Sequence, residues 1–176
     1  MTLHITATIE RWPVDGHFTI ARGAKQFVDL LVVAVSDGTR IGYGEGTAIY
    51  YQGETAEKCL GQVERFSDEV GGRPVPIARE ILQYILPPGA ARNALDCALW
   101  GLEAKQAGVA LWVLVGMATP PLPLQTAFTI SLGAPEAMHA DARSAADKGY
   151  SLLKLKLNGE ADRDRVAAVR EGAPNA

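Results

Sequence analysis

The chain has only two cysteines, Cys59 and Cys97, and they lack metal-ligand spacing. That excludes a disulfide framework or a cysteine zinc site and fits a reducing, cytoplasmic compartment. The three histidines, His4, His17 and His139, also lack ligand-like spacing and read as surface or core residues. No apolar run approaches the roughly 20 residues that cross a membrane. Met1 to Ile9 alternates polar and apolar like a strand, without the charged start and unbroken apolar block of a signal peptide. Positive charge is not in excess: 17 Lys and Arg against 20 Asp and Glu leave a net charge of -3. With no basic stripe, neither nucleic acid nor a membrane is expected as a partner. Repeats and low-complexity segments are absent. What is present is ordinary: 176 residues, 48% hydrophobic, with enough apolar material for a core.

The order of elements changes along the chain. The first part reads as an antiparallel meander, with strands from about Leu3 to Trp12, Val28 to Val35 and Arg40 to Gly46. A loop from Pro13 to Gly23 joins the first two, and the turn pair Asp37-Gly38 joins the last two. Gly42, Gly44 and Gly46 superficially suggest a phosphate loop, but no helix opens directly behind them, and glycines that keep a strand slim fit better. Helices follow: one capped by Thr55 and stopped at Gly71-Gly72, one near Ile77 to Ile85, a long one over Ala90–Ala107, and a short one near Leu111 to Val115. Cys97 falls in the long helix and reads as a small packed apolar residue.

Composition shifts at Thr119-Pro120-Pro121-Leu122-Pro123, which marks a domain boundary. Beyond it the order is strand (Leu124 to Leu132), helix (Pro135 to Lys148), strand (Tyr150 to Leu157), helix (Ala161 to Arg170). Alternating β and α units imply parallel strands. The predicted architecture is therefore an α+β domain over residues 1–118, a three-stranded antiparallel sheet with helices. The first two βα units of an incomplete (β/α) barrel follow over 119–176. Two such units cannot close a barrel, which takes on the order of 250 residues. The chain is expected to be the N-terminal portion of a longer protein.

The last strand, Leu152-Leu153-Lys154-Leu155-Lys156-Leu157, carries the chemistry. Leu153, Leu155 and Leu157 share one face, and Lys154 and Lys156 the other. Alternation alone describes a half-buried strand with a solvated lysine face. The alternative is a reactive pair: two adjacent ammonium groups repel, which favours a neutral lysine able to act as a general base.

Four segments together resemble the enolase superfamily, in its mandelate racemase and muconate-lactonising branch, and within that the dipeptide epimerases. They are Gly42-Tyr43-Gly44-Glu45; Tyr51-Gln52-Gly53-Glu54-Thr55; Ala91-Arg92-Asn93-Ala94-Leu95-Asp96-Cys97-Ala98-Leu99-Trp100 with Leu102-Glu103-Ala104-Lys105; and Thr126-Ala127-Phe128-Thr129-Ile130 with Pro135-Glu136-Ala137-Met138 and Lys154-Leu155-Lys156. The resemblance implies a capping domain followed by a barrel. It implies removal of an α-proton from a carboxylate substrate, with a divalent metal, usually Mg²⁺, stabilising the enediolate.

By that resemblance Lys156 is the base, Lys154 assists it and helps hold the substrate, and Thr129 contacts the substrate. Arg22 sits where the distal part of the substrate is recognised, and a guanidinium suits the second carboxylate of an Ala-Glu dipeptide. An ordinary surface arginine is the competing reading. Tyr51 either lines the same entrance or packs its loop, while Glu45 and Asp96 read as structural. The metal-binding carboxylates and an opposing lysine are implied on later barrel strands, beyond Ala176, so no metal ligand is assigned within the chain.

The implied activity is that of an isomerase, an L-Ala-D/L-Glu type epimerase, with a small-molecule dipeptide as its partner. An N-acylamino acid racemase, an o-succinylbenzoate synthase or a muconate cycloisomerase is the alternative in the same superfamily. A reading of another class is a catalytically inactive fragment that persists as a folded or dimerising module. Unpaired strand edges would favour homo-oligomers.

Overall fold

The computed structural model describes residues 2–176, the side chains of Gly16 and His17 excepted, so the reading of His17 lies outside the described residues. The chain forms two compact units: one runs through Trp12 and then over Val28–Pro121, the other takes Pro13–Phe27 and Leu122–Ala176.

A three-stranded sheet has the order β1-β2-β3, where β1 is His4–Ile20, β2 Gly23–Ser36 and β3 Ile41–Thr47; the first unit holds β3 and the parts of β1 and β2 outside residues 13–27. β1 and β2 run well past the strands expected from alternation. The segment read as a loop is the outer end of a long hairpin that turns at Ala21 and Arg22. Pro13 is accommodated because β1 is an edge strand, where a missing N–H costs no ladder bond on the open side. β2 and β3 are antiparallel, with Leu31 opposite Gly46, Val33 opposite Gly44 and Val35 opposite Gly42. Leu31, Val33 and Val35 are buried, and so this face of the sheet is the inner one.

Three helices cover that face: α1 (Ala56–Val70), α2 (Val75–Ile85) and α3 (Ala90–Ala107). Thr55 caps α1, its Oγ1 accepting from Lys58 N at 3.2 Å, a contact worth about 1 kcal/mol. α3 lies directly on β3. A Cβ built on Gly42, Gly44 or Gly46 would meet the carbonyl oxygen of Ala98, Ala94 or Ala90 at 2.0, 2.0 and 2.3 Å. The glycine triplet and the alanines four apart are therefore two halves of one contact, backbone against backbone. Phe66, Leu82, Leu95, Leu99 and Leu102 fill the core beneath, each contributing roughly 1.5–3 kcal/mol by leaving water. Cys97 departs from the expected packing: it is exposed. The buried stripe of α3 runs through Ala91, Ala94, Leu95, Ala98, Leu99 and Leu102, and position 97 falls outside it. The short α4 is Leu111–Leu114.

In the second unit, β4 (Phe128–Ile130) and β5 (Leu153–Leu155) pair in parallel, joined by α5 (Pro135–Asp147) and followed by α6 (Asp162–Gly172). Both strands are shorter than their apolar runs. The ladder extends one bond beyond each end, Phe128 N donating to Leu152 O at 2.9 Å and Lys156 N to Ile130 O at 3.1 Å. Ile130, Met138, Ala142, Ala145, Val169 and Ala173 form the core of this unit, with Phe128, Leu153 and Leu155 packed against it. Among the described residues no helix is long and apolar enough to cross a membrane.

Candidate active site

The parallel register puts Thr129 beside Lys154. Paired residues of a parallel ladder project to the same side, and positions two apart along a strand share it. Thr129 and Ser131 from β4 and its extension therefore share a face with Lys154 and Lys156 from β5 and its extension. The opposite face, Phe128, Ile130, Leu153 and Leu155, is the one packed on the core of this unit. The lysine face is thus the side of the sheet turned away from α5 and α6. Lys154 is exposed and Lys156 half-buried.

The outer end of the β1–β2 hairpin belongs to the same unit. Leu132 N donates to Thr19 O at 3.0 Å, and Thr19 N donates to Ser131 Oγ at 3.4 Å. The Lys156 ammonium lies 5.6 Å from the centroid of the Phe18 ring. Arg22 follows three residues after Thr19, in the exposed turn of this hairpin. Thr129, Lys154, Lys156 and Arg22 are thus held in one unit. Tyr51 belongs to the other, in the one-turn 3-10 helix Tyr50–Gln52, where its ring stands edge-on to Tyr50 at 5.4 Å and is 62% exposed. Glu54 ties down that loop, accepting from Ile49 N at 2.7 Å and from Ala90 N, at the start of α3, at 3.1 Å.

Behind the lysines, the segment 158–162 is tightly bonded. Asn158 N and Gly159 N donate to the Asp162 carboxylate at 3.3 and 2.8 Å. Arg165 donates to Asn158 Oδ1 at 2.7 Å, to Asp162 Oδ1 at 3.1 Å, to the Glu160 carbonyl, and to Gly133 O at 2.8 Å in the loop that follows β4. Desolvation pushes the Asp162 carboxyl up, but the Gly159, Asn158 and Arg165 donors outweigh it and hold it below the usual carboxylate value. Ala161 adopts a left-handed backbone, φ +50°, a strain that non-glycine residues accept only where neighbours dictate it. Phe18, Thr19 and Arg165 were missed in the sequence. Phe18 and Thr19 lie where alternation suggested a loop, and Arg165 reads as one more charge on an exposed helix.

Glu45 and Asp96 lie on β3 and α3 of the first unit. Glu45 offers its backbone carbonyl to Asn93 Nδ2 at 3.0 Å, and Asp96 Oδ1 accepts from Gln83 Nε2 at 3.4 Å. Among the described residues no three His, Cys, Asp or Glu side chains are grouped to hold a metal ion. These residues do not fit a magnesium site.

A family model described as the mandelate racemase / muconate lactonizing enzyme N-terminal domain matches residues 2–116. The chain belongs to this family. It is also 36% identical over 167 residues to the L-Ala-D/L-Glu epimerase of Escherichia coli K12, covering 95% of this chain and 51% of that protein. Among solved structures it is similar to an enolase family member from Agrobacterium tumefaciens with homology to dipeptide epimerases, described with bound sodium, L-Ala-L-Glu and an ordered loop. The TM-score is 0.89 at 40% identity, over 99% of this chain and 52% of that one. A dipeptide epimerase from Methylococcus capsulatus, complexed with Mg and L-Arg-D-Lys, gives a TM-score of 0.82 at 28% identity, over 98% and 52% of the two chains. The chain spans about half the length of the curated relatives it matches. The antiparallel sheet with helices followed by parallel βα units is the enolase-superfamily arrangement expected from the motifs, and the relatives of this family member are epimerases and racemases.

Proposed function

We propose that this chain supplies one side of the active site of a dipeptide epimerase acting on L-Ala-D/L-Glu or a closely related dipeptide. The observation that carries the reading is the shared face of Thr129, Lys154 and Lys156 on a parallel strand pair, at the strand ends where (β/α) folds carry their chemistry. Lys156 in its neutral form accepts the α-proton, and the C–H electron pair moves into the adjoining carboxyl group. Lys154, on the same strand face, offers N–H donors to the substrate carboxylate. Thr129 orients the substrate through its hydroxyl. An opposing lysine ammonium, implied by the family, returns a proton to the other face of Cα, and the electron pair held in the carboxyl group re-forms the C–H bond with inversion. Arg22 suits a second carboxylate, as on the glutamate side chain. Relatives act on different dipeptides, including L-Lys-D/L-Arg, and a guanidinium at Arg22 favours an acidic one here. Mg²⁺ is the expected cofactor by family. A barrel beginning near residue 119 and a cytoplasmic setting complete the proposal.

The test is proton exchange. The protein carrying this chain, incubated in D₂O with L-Ala-L-Glu, L-Ala-D-Glu, L-Lys-L-Arg and an N-acylamino acid, is followed by ¹H NMR at each Cα. Exchange at the glutamate Cα of the Ala-Glu dipeptides is expected. Exchange of L-Lys-L-Arg or the N-acylamino acid in their place would move the substrate assignment, and exchange of none of the four would refute the enzyme reading.

A further inference from the structure

The end of β4 is bonded on both sides. On one side Lys156 N donates to Ile130 O at 3.1 Å, and on the other Leu132 N donates to Thr19 O at 3.0 Å. Thr19 N adds a bond to Ser131 Oγ at 3.4 Å. Residues 130–132 therefore act as a bridge that sets the backbone of Lys156 and the backbone of the hairpin at a fixed separation. Phe18 precedes Thr19, is half-buried, and faces the Lys156 ammonium with its ring at 5.6 Å. That distance lies within the range at which a ring attracts a cation. A lysine side chain carries four rotatable bonds, and one without a wall beside it samples many positions. The ring removes part of that freedom.

We propose that Phe18 is a positioning residue for Lys156, and that the hairpin bearing Arg22 is thereby coupled to the base through the Thr19 bonds. Only the catalytic consequence rests on the proposed role of Lys156. The contact itself is independent of it. Phe18 touches no reacting atom in this scheme. It limits where the ε-nitrogen sits, so its loss lowers turnover more than binding.

Two readouts separate the inference from the reading beneath it. With ¹³C-labelled lysine, the ε-CH₂ signal of Lys156, assigned by its loss in Lys156→Arg, is expected upfield of the other lysines because of the ring current. Phe18→Leu moves it to the common position, and Phe18→Tyr keeps it in place. Ser131→Ala, which leaves the ring and removes one anchoring bond, moves it part of the way. In the exchange assay, Phe18→Leu is expected to lower kcat roughly tenfold with little change in KM, and Phe18→Tyr restores it. An ε-CH₂ signal unchanged by Phe18→Leu overturns the proposal, as does an unchanged kcat in a protein that exchanges the dipeptide. A wild-type protein that shows the ring-current shift but exchanges nothing refutes the epimerase reading, while the Phe18–Lys156 contact stands.

Discussion

Gly44→Ala is the sharpest test of how the first unit is built. The added methyl would lie 2.0 Å from the Ala94 carbonyl oxygen, 2.9 Å from Ala98 N and 3.0 Å from the Ala94 carbonyl carbon. All three atoms are backbone, so no rotamer change relieves the contact. Carbon and oxygen in van der Waals contact sit more than 3 Å apart, so α3 must withdraw from β3 by about 1 Å along part of its length. Overpacking of this kind costs roughly 1–3 kcal/mol. Exchanging glycine for alanine returns about 0.4–1 kcal/mol through the unfolded chain, which leaves a net loss of about 1–2 kcal/mol. The assay is urea unfolding followed by circular dichroism and by tryptophan fluorescence, to which Trp100, on α3 under the Arg79 guanidinium, contributes. With m near 2 kcal/mol/M, the midpoint should fall by about 0.5–1 M. Gly61→Ala is the control: it sits within α1, and a Cβ there meets nothing within 4 Å. That variant should gain up to about 1 kcal/mol from helix propensity. If Gly44→Ala is as stable as wild type, or if both variants shift in the same direction, backbone packing of α3 on β3 is not what selects the glycines.

Lys156→Ala should lower the rate of α-proton exchange by about 10²–10⁴, the usual contribution of a general base, with circular dichroism unchanged; a loss under tenfold would remove Lys156 from that role. Asp37 should contribute to acid unfolding. The Gln106 amide and the Arg40 and Thr39 N–H groups hold its carboxyl at about 2, against 3.8 when unfolded. Its stabilisation is therefore complete above pH 4 and lost as pH falls from 4 through 2, and Asp37→Asn should flatten that part of a stability-against-pH curve. Cys97 is exposed and Cys59 buried, so a thiol reagent should label one cysteine in the folded protein and both in urea. Partial desolvation holds both thiols above their ordinary value, helped by Glu54 near Cys59 and by Asp96 and Glu45 near Cys97, so labelling should accelerate with rising pH, and equal rates for the two would contradict the packing of α1.

Much of this protein was legible in its residues because the deciding interactions are local. Thr55 caps α1 because a hydroxyl one residue ahead of a helix reaches its free N–H groups wherever the helix lies. Asp37-Gly38 turns because Asp37 Oδ1 bonds Thr39 N and Arg40 N two and three residues on. The face shared by Lys154 and Lys156 follows from the pleat of a strand. Non-local contact decided the rest. Alternation could not say which side of that strand was the lysine side, because its two sides differ only in what packs against them. The register with β4 and the packing of the leucines on the core of the second unit settled it. Residues 13–23 lack turn-to-turn periodicity, yet they form the end of a hairpin because β1 and β2 find each other and Thr19 finds the end of β4. The glycine triplet marked a slim strand in the sequence. Only the fold showed the helix backbone that needs the space, since the Ala90, Ala94 and Ala98 carbonyls lie more than forty residues away along the chain.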